Sequence, residues 1–158
     1  MDVLSEVLRV VKMESAFFFN AEFTQPWCLR SPASCKYAEH ISSNDRGHII
    51  IYPLLIEGHA AARLGNTRIP LTAGDIVIFP HGDPHVLSSS PGMRADPSAG
   101  GSFDAAEDGQ MPLVINYGSD AAAEAKFICG YLACDARPFN PLIESLPKVI
   151  KISWRGGD

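Results

Sequence analysis

The sequence lacks the features that mark membrane-bound, secreted and nucleotide-binding proteins. Its apolar runs are far shorter than the roughly 20 residues that a membrane-spanning helix needs. The first residues carry acids among apolar side chains, without a basic start and a small-residue cleavage site. We therefore expect no secretory signal and a cytoplasmic location. No glycine-rich loop opens a helix, so neither a Walker-type nor a dinucleotide-binding loop is predicted.

Cysteine pairs and clustered basic charge are also missing. The four cysteines form no C-x-x-C pair, so we expect free, buried thiols rather than a disulfide framework. Cys129 lies in an apolar strand pattern without an activating base, which predicts a core thiol and not a nucleophile. The 13 basic residues are scattered among 18 acidic ones, and the net charge is −5. These residues by themselves should not hold DNA, because DNA phosphates are bound by clustered Lys and Arg.

What the sequence does contain is enough apolar residues for one core, arranged in short strands. With 158 residues, 46% of them hydrophobic, the chain suits a single domain over 1–158. Closely spaced strands with glycine-centred turns favour an antiparallel barrel or sandwich over a βαβ fold. We expect an amphipathic helix over 2–12, a barrel over about 16–134, a mobile loop over about 88–112 and a C-terminal helix over about 140–146.

Two local predictions concern the first half of this barrel. The apolar run 48–56 predicts a buried strand that ends at a turn of Glu57 and Gly58, with a second strand over 59–64. The stretch 29–34 reads as a loop that follows Pro26 and Trp27.

One motif identifies the type of barrel. Gly74, Pro80, Gly82 and His85 form the pattern G-x5-P-x-G-x2-H, in which the glycines allow tight turns and the histidine begins a strand. The pattern resembles the second cupin motif, although Ser89 stands where that motif usually ends in Asn. The resemblance implies an all-β, double-stranded β-helix, that is, a jelly-roll barrel with an interior cavity and short flanking helices.

The first cupin motif, H-x-H-x3-E-x6-G, is not matched in its metal ligands. When its last glycine is placed on Gly58, Ile51 takes the glutamate position, and Asp45 and Gly47 take the histidine positions. A catalytic metal needs about three protein ligands, so we expect no metal and no cofactor. His48 lies one residue out of place. If a metal is bound, His85 with His48 or His81 would be its ligands.

The two-residue period of a strand predicts which side chains line the interior. Ile49, Ile51, Pro53 and Leu55 would face inward and make the surroundings of His85 apolar. The ligand-binding candidates are His85, His81, Ile51, Tyr52, Pro53 and Leu55. Asp83, Trp27 and Tyr117 are further polar or aromatic candidates near the mouth.

A narrower resemblance covers residues 2 to 152. The segments FFFNAEFTQPW, LTAGDIVIFPHGDPHVL and KFICGYLACD, with others between them, are similar in order and spacing to the N-terminal cupin-type sensor domain of AraC-family transcriptional regulators. The resemblance implies effector binding or dimerisation by this domain, and DNA binding by a C-terminal domain of two helix-turn-helix units. No helix-turn-helix pattern follows Trp154, so we expect no DNA binding by these residues themselves.

These observations leave four functions open. The leading prediction is a non-catalytic effector-sensing or dimerisation domain that binds a small molecule and forms a homodimer. A metal-dependent cupin enzyme, such as a dioxygenase or isomerase, is the alternative from a different class. A stand-alone small-molecule-binding cupin is the third. The fourth is a purely structural dimerisation module whose barrel is filled by its own side chains.

Overall fold

The computed structural model describes residues 13–24, 26–33, 47–94, 113–117, 124–135 and 141–154. The helix expected over 2–12 and residues 95–112 of the expected loop lie outside these ranges. In chain order the elements are β1 (Met13–Phe23), β2 (Cys28–Ser31), β3 (Gly47–Leu64), β4 (Thr67–Thr72), β5 (Asp75–Ile78), β6 (His85–Ser88), β7 (Leu113–Tyr117), β8 (Ala125–Asp135), α1 (Pro141–Ser145) and β9 (Ile150–Ser153). The predicted all-β class is confirmed. None of the helices in the described ranges is long and apolar enough to cross a membrane.

The long strand β3 organises the sheet. The strand order is β2-β6-β3-β8-β1-β7, and β4 and β5 also pair with β3. The first half of β3 pairs antiparallel with β8, whereas its second half pairs antiparallel with β4 and β6. One strand therefore belongs to both walls of the barrel. Its side chains lie beside those of β8 in one wall and beside those of β6 in the other.

The bend in β3 corrects one sequence prediction. The expected turn at Glu57 and Gly58 is a register shift between Leu55 and Glu57, and the strand continues through it to Leu64. Gly58 has a φ of 85°, and a Cβ at this position would collide with the backbone oxygen of Glu124. A bulge bends a strand without ending it, which is why the local sequence resembled a turn.

The ends of the barrel also differ from the prediction. The segment read as a loop over 29–34 contains β2, which pairs antiparallel with β6. The first strand begins at Met13, close to the expected start of the barrel at about 16, and β9 adds a strand beyond the expected end at about 134 through pairing with β5. These strands depend on partners distant in the sequence, so local composition does not reveal them. α1 lies within the range 140–146 that the sequence predicted for a helix.

An ion pair between the buried Asp75 and the partly exposed Lys151 links β9 to the barrel. Asp75 Oδ2 lies 2.8 Å from Lys151 Nζ and accepts a hydrogen bond of 2.8 Å from the backbone N–H of Thr72. Burial alone would raise the pKa of Asp75, but hydrogen bonds from Lys151, Ser153 and Thr72, with the charge of Lys151, hold that pKa well below its ordinary value. The carboxylate therefore stays charged and holds the C-terminal strand in place.

The core confirms the predicted alternation along β3. Ile49, Ile51, Pro53 and Leu55 are almost completely buried, whereas the side chains between them are partly exposed. Each such aliphatic side chain stabilises the fold by about 1.5–3 kcal/mol relative to an exposed position. Other core members come from five strands and the residue before β2: Phe23, Trp27, Leu71, Val77, Leu87, Phe127 and Ala133. The interior of the barrel is thus mainly aliphatic and aromatic.

Candidate functional site

The motif predicted from the sequence forms the connection that carries His85 to the start of β6. Gly74 and Gly82 have φ values of 93° and 63°, in the left-handed region that favours glycine. The backbone N–H of Gly82 donates to the oxygen of Phe79 at 3.1 Å and closes the turn around the buried Pro80. β6 then begins, and His85 pairs with Ser31 of β2. The turn therefore fixes which residue of β6 faces the interior first.

His85 is a buried, neutral imidazole. Its side chain is 3% exposed, and its ring stacks on Phe79 with centroids 3.7 Å apart and planes at 12°. Nδ1 lies 3.0 Å from the carbonyl oxygen of Asp83; a carbonyl only accepts, so Nδ1 carries the proton. Burial lowers the pKa of His85 to about 4, although the hydrogen bond to Asp83 opposes this shift. At neutral pH its Nε2 is consequently a hydrogen-bond acceptor.

The other two histidine candidates do not join His85. Nε2 of His81 lies 2.9 Å from the oxygen of Leu146, so His81 ties the β5–β6 connection to the residue after α1. Nε2 of His48 lies 2.5 Å from the oxygen of Pro80, on the face of β3 opposite Ile49. Both Nε2 atoms donate to backbone carbonyls, which leaves Nδ1 of each ring as the acceptor, and within the described ranges neither histidine forms a group of three or more possible ligands with His85.

The described residues therefore do not fit the metal set of a cupin enzyme. Ile51, at the glutamate position, is 2% exposed and packs in the core. Within the described ranges no group of three or more His, Cys, Asp or Glu residues could hold a metal ion. A donor hydrogen bond from Nδ1 to a carbonyl is common among metal-binding histidines, but His85 would be a single ligand here. Asp45 lies outside the described residues.

Tyr52 is placed on the wrong side of β3 for an interior role. It pairs with Gly130 of β8, and a Cβ on Gly130 would overlap the Tyr52 ring. The ring therefore lies over the glycine on the outer face, where partial burial raises the pKa of Tyr52. Adjacent residues of a strand face opposite sides, so Tyr52 cannot line the interior together with Ile51, Pro53 and Leu55. The structure therefore places Tyr52 outside the set of interior side chains on β3, and its part in ligand binding stays a prediction.

Trp27 is a stronger interior residue than the sequence indicated. It is 5% exposed, stacks on Phe23 with ring centroids 4.1 Å apart, and meets Phe127 edge to face at 5.9 Å. Ser89, at the motif's final position, binds its backbone: Ser89 N donates to Trp27 O at 3.0 Å, and Trp27 N donates to Ser89 Oγ at 3.3 Å. The signal available in the sequence was the Pro26–Trp27 pair, but its partner Ser89 is 62 residues away.

Two further interior groups complete the site. Cys129 is a free, buried thiol, and burial raises its pKa to about 12, which suits the expected core role and not a nucleophile. Ser31 is buried opposite His85. It was not among the predicted site residues, because the sequence predicted a loop over 29–34. Oδ2 of Asp83 is a buried oxygen that has no hydrogen-bond partner among the described residues and lies 3.4 Å from Nζ of the exposed Lys148, so Asp83 is paired by charge alone.

Comparison with known proteins agrees with this fold and this motif. A family model described as Cupin matches residues 2–157. The sequence matches none of the curated proteins with which it was compared. Because the family match covers nearly the whole chain and the strands form the expected β-barrel with jelly-roll character, this chain belongs to the cupin family.

Proposed function

We propose that this chain is a non-catalytic sensor domain that binds a small-molecule effector inside its barrel. The observation that carries the proposal is the state of His85, a neutral imidazole stacked on Phe79 among apolar side chains. A site of this kind binds by burying apolar surface and uses a few fixed polar groups for orientation. The uncharged Nε2 of His85 is such a group, since it accepts a hydrogen bond without the desolvation cost of a charge.

The donor chemistry favours binding over metal catalysis. A cupin enzyme would place a glutamate where Ile51 packs, and within the described ranges His48, His81 and His85 form no group of three possible metal ligands. Cys129 has a raised pKa and lacks the character of an activated nucleophile. The interior groups on β3 and β6 therefore suit recognition of an uncharged molecule better than a chemical step.

The finer assignment comes from the resemblance to AraC-family sensor domains. We propose that the chain acts in the cytoplasm as a homodimer, and that DNA is bound by a C-terminal helix-turn-helix domain if the full-length protein has one. The net charge of −5 supports the assignment of DNA binding to another domain, because a DNA-binding surface needs clustered basic residues. Ile152 and Trp154, on and after β9, are large exposed apolar side chains that could contribute to contact between copies.

Metal analysis of purified protein, wild type and His85→Ala, tests the proposal against the enzyme alternative. We expect well under one equivalent of iron, nickel or manganese in wild type, and the same content in His85→Ala. His81→Ala is the matched control, because it removes an imidazole bound to the Leu146 oxygen. A stoichiometric metal that is lost in His85→Ala and retained in His81→Ala would favour a metal-dependent cupin enzyme.

A thermal-shift screen tests binding itself. Uncharged small molecules should raise the melting temperature of wild type, because a ligand that binds only the folded state stabilises it. Leu55→Phe would add bulk at a completely buried position, and Ile56→Phe would add the same ring at an exposed position of the same strand. We expect Leu55→Phe to lose the ligand-induced shift and Ile56→Phe to keep it. Equal shifts in both variants would place the ligand outside the barrel.

A further inference from the structure

The indole N–H of Trp27 is a buried hydrogen-bond donor that finds no acceptor among the residues that the structure describes. The side chain is 5% exposed, and within these residues its Nε1 has no hydrogen-bond partner. Buried donors are nearly always hydrogen-bonded in folded proteins, because an unpaired donor has lost its hydrogen bond to water and gained none in return. A buried donor without an acceptor is explained if a bound molecule supplies the acceptor.

The surroundings of Trp27 hold this donor in a fixed orientation. Its ring packs against Phe23 and Phe127 with interplanar angles of 23° and 84°, so it contacts one ring by its face and the other by an edge. Its backbone is bound to Ser89 through N–H and oxygen together. A donor held by packing and by its backbone is preorganised, which reduces the entropy lost when a ligand binds.

The position of Trp27 links it to the interior that contains His85. Alternate residues of β2 and of the segment just before it lie opposite alternate residues of β6 and of the segment just after it. The pairs are Ser31 with His85, Leu29 with Leu87 and Trp27 with Ser89. Residues at this spacing share one face, and both Trp27 and Leu87 belong to the core cluster. Trp27 lies four residues from Ser31, the partner of His85, so at the rise of a strand the positions of Trp27 and His85 are about 13 Å apart along the barrel wall.

The charges around this interior restrict the chemistry of a partner. Among the described residues, the buried ionisable side chains include Asp75, which is paired with Lys151, and His85, which is neutral. No buried cation in these ranges is left to neutralise an anion. A charged ligand would lose its hydration without compensation, whereas an uncharged acceptor such as a carbonyl would not.

We propose that the indole N–H of Trp27 anchors the ligand by donating a hydrogen bond to an uncharged acceptor, such as a ketone, ester or amide oxygen, on a largely apolar and planar molecule. This inference rests on the proposed function, because it assumes that a small molecule enters the barrel. It goes beyond that function by naming the donor and the class of ligand. The aromatic rings of Phe23 and Phe127 would pack against the planar body beside the anchored oxygen.

The test uses three probes of similar shape: acetophenone, which carries a neutral acceptor; benzoate, which carries a charged one; and ethylbenzene, which carries none. The indole N–H signals of the two tryptophans are followed by nitrogen-15 NMR and are assigned with Trp154→Phe. We expect acetophenone to shift the Trp27 proton downfield and to leave Trp154, which is 75% exposed, unchanged. Ethylbenzene should cause no downfield shift, and benzoate should bind at least about tenfold more weakly than acetophenone.

A second arm removes the donor and keeps the ring. In the Trp154→Phe background, Trp27 is the remaining tryptophan, so biosynthetic replacement of tryptophan by benzothienylalanine exchanges this N–H for sulfur at nearly constant shape. We expect acetophenone to bind about tenfold more weakly and ethylbenzene to bind with unchanged affinity. Trp27→Phe also removes the N–H but leaves a smaller ring, so in that variant the weakening of ethylbenzene measures the lost packing, and acetophenone should weaken by more than ethylbenzene does.

The outcomes separate this inference from the proposed function. If acetophenone perturbs the methyl signals of Leu55 but neither shifts the Trp27 proton nor loses affinity when the N–H is replaced, the inference is overturned and the binding function stands. If benzoate binds as tightly as acetophenone, the uncharged ligand class is overturned. If none of the three probes perturbs any interior methyl group at millimolar concentration, both the inference and the proposed function are contradicted.

Discussion

The two walls of the barrel differ in what they contribute. The β3–β8 wall faces the interior with Ile49, Ile51, Leu55, Phe127 and Ala133, and its polar exceptions are the Cys129 thiol and the Tyr131 ring. The β2–β6 wall carries His85, Ser31 and, just before β2, the Trp27 indole. One wall therefore supplies apolar volume, and the other supplies polar groups at fixed positions. A site that binds mainly by burying apolar surface, and orients its ligand with a few hydrogen bonds, needs both kinds of wall.

The largest effect should come from truncating the apolar wall. Leu55→Ala is expected to lower the free energy of unfolding by about 3–5 kcal/mol, because a completely buried side chain leaves a cavity. Ile56→Ala, at the exposed neighbouring position, should cost less than about 1 kcal/mol. Urea denaturation followed by circular dichroism measures both. Similar losses would mean that the alternation along β3 does not define the interior.

The second prediction concerns pH and the polar wall. Burial lowers the pKa of His85 to about 4, so the unfolded state binds a proton before the folded state does as the pH falls. The stabilisation is complete above the ordinary histidine pKa of about 6.5 and is lost towards pH 4, by about 2–3 kcal/mol.

His85→Phe should remove this part of the pH dependence while keeping an aromatic ring beside Phe79. The measurement is urea denaturation at pH 7, 6, 5 and 4, with His59→Gln as a control for loss of an exposed histidine. An unchanged slope between pH 6.5 and 4 in His85→Phe would show that His85 is not the buried neutral group of this wall.

A smaller effect is expected on the outer side of the apolar wall. Gly130→Ala should cost about 1–2 kcal/mol, because its Cβ would displace the Tyr52 ring. In a Tyr52→Ala background the same change should cost much less, and a double-mutant cycle by thermal denaturation measures the coupling. Additive effects would show that Tyr52 does not cover Gly130, and would reopen an interior position for Tyr52.

The smallest effect concerns how the polar wall holds Trp27. Ser89→Ala removes the Oγ that accepts the Trp27 N–H at 3.3 Å, and should raise hydrogen exchange at the Trp27 backbone amide about threefold. The matched control is Ser90→Ala, the neighbouring exposed serine. If both variants exchange alike, Ser89 Oγ does not position Trp27.

Local sequence was enough to predict much of the apolar wall and the turn before β6. The alternation of Ile49, Ile51, Pro53 and Leu55 follows from the period of one strand, and the motif from Gly74 to His85 sets its own turn. Both depend on residues close in the chain, so their pattern is visible without the fold.

The polar wall was less predictable because it depends on distant pairing. Ser31 became an interior residue only through β2–β6 pairing, and the hold of Ser89 on Trp27 joins residues 62 apart. The hydrogen bonds of His81 to Leu146 and of His48 to Pro80 likewise depend on tertiary contacts that no spacing in the sequence encodes. Residue types therefore suggested the candidates, but the fold decided which of them face the interior.

The most direct test of a neutral, metal-free interior is a nitrogen-15 NMR titration of the His85 imidazole from pH 8 to pH 4, repeated with one equivalent of Ni²⁺. The account predicts a proton on Nδ1, a free Nε2 lone pair, a pKa of about 4, and signals that Ni²⁺ leaves unchanged. Titration near pH 6.5, or loss of the His85 signals at one equivalent of Ni²⁺ while those of the exposed His59 remain, would contradict it.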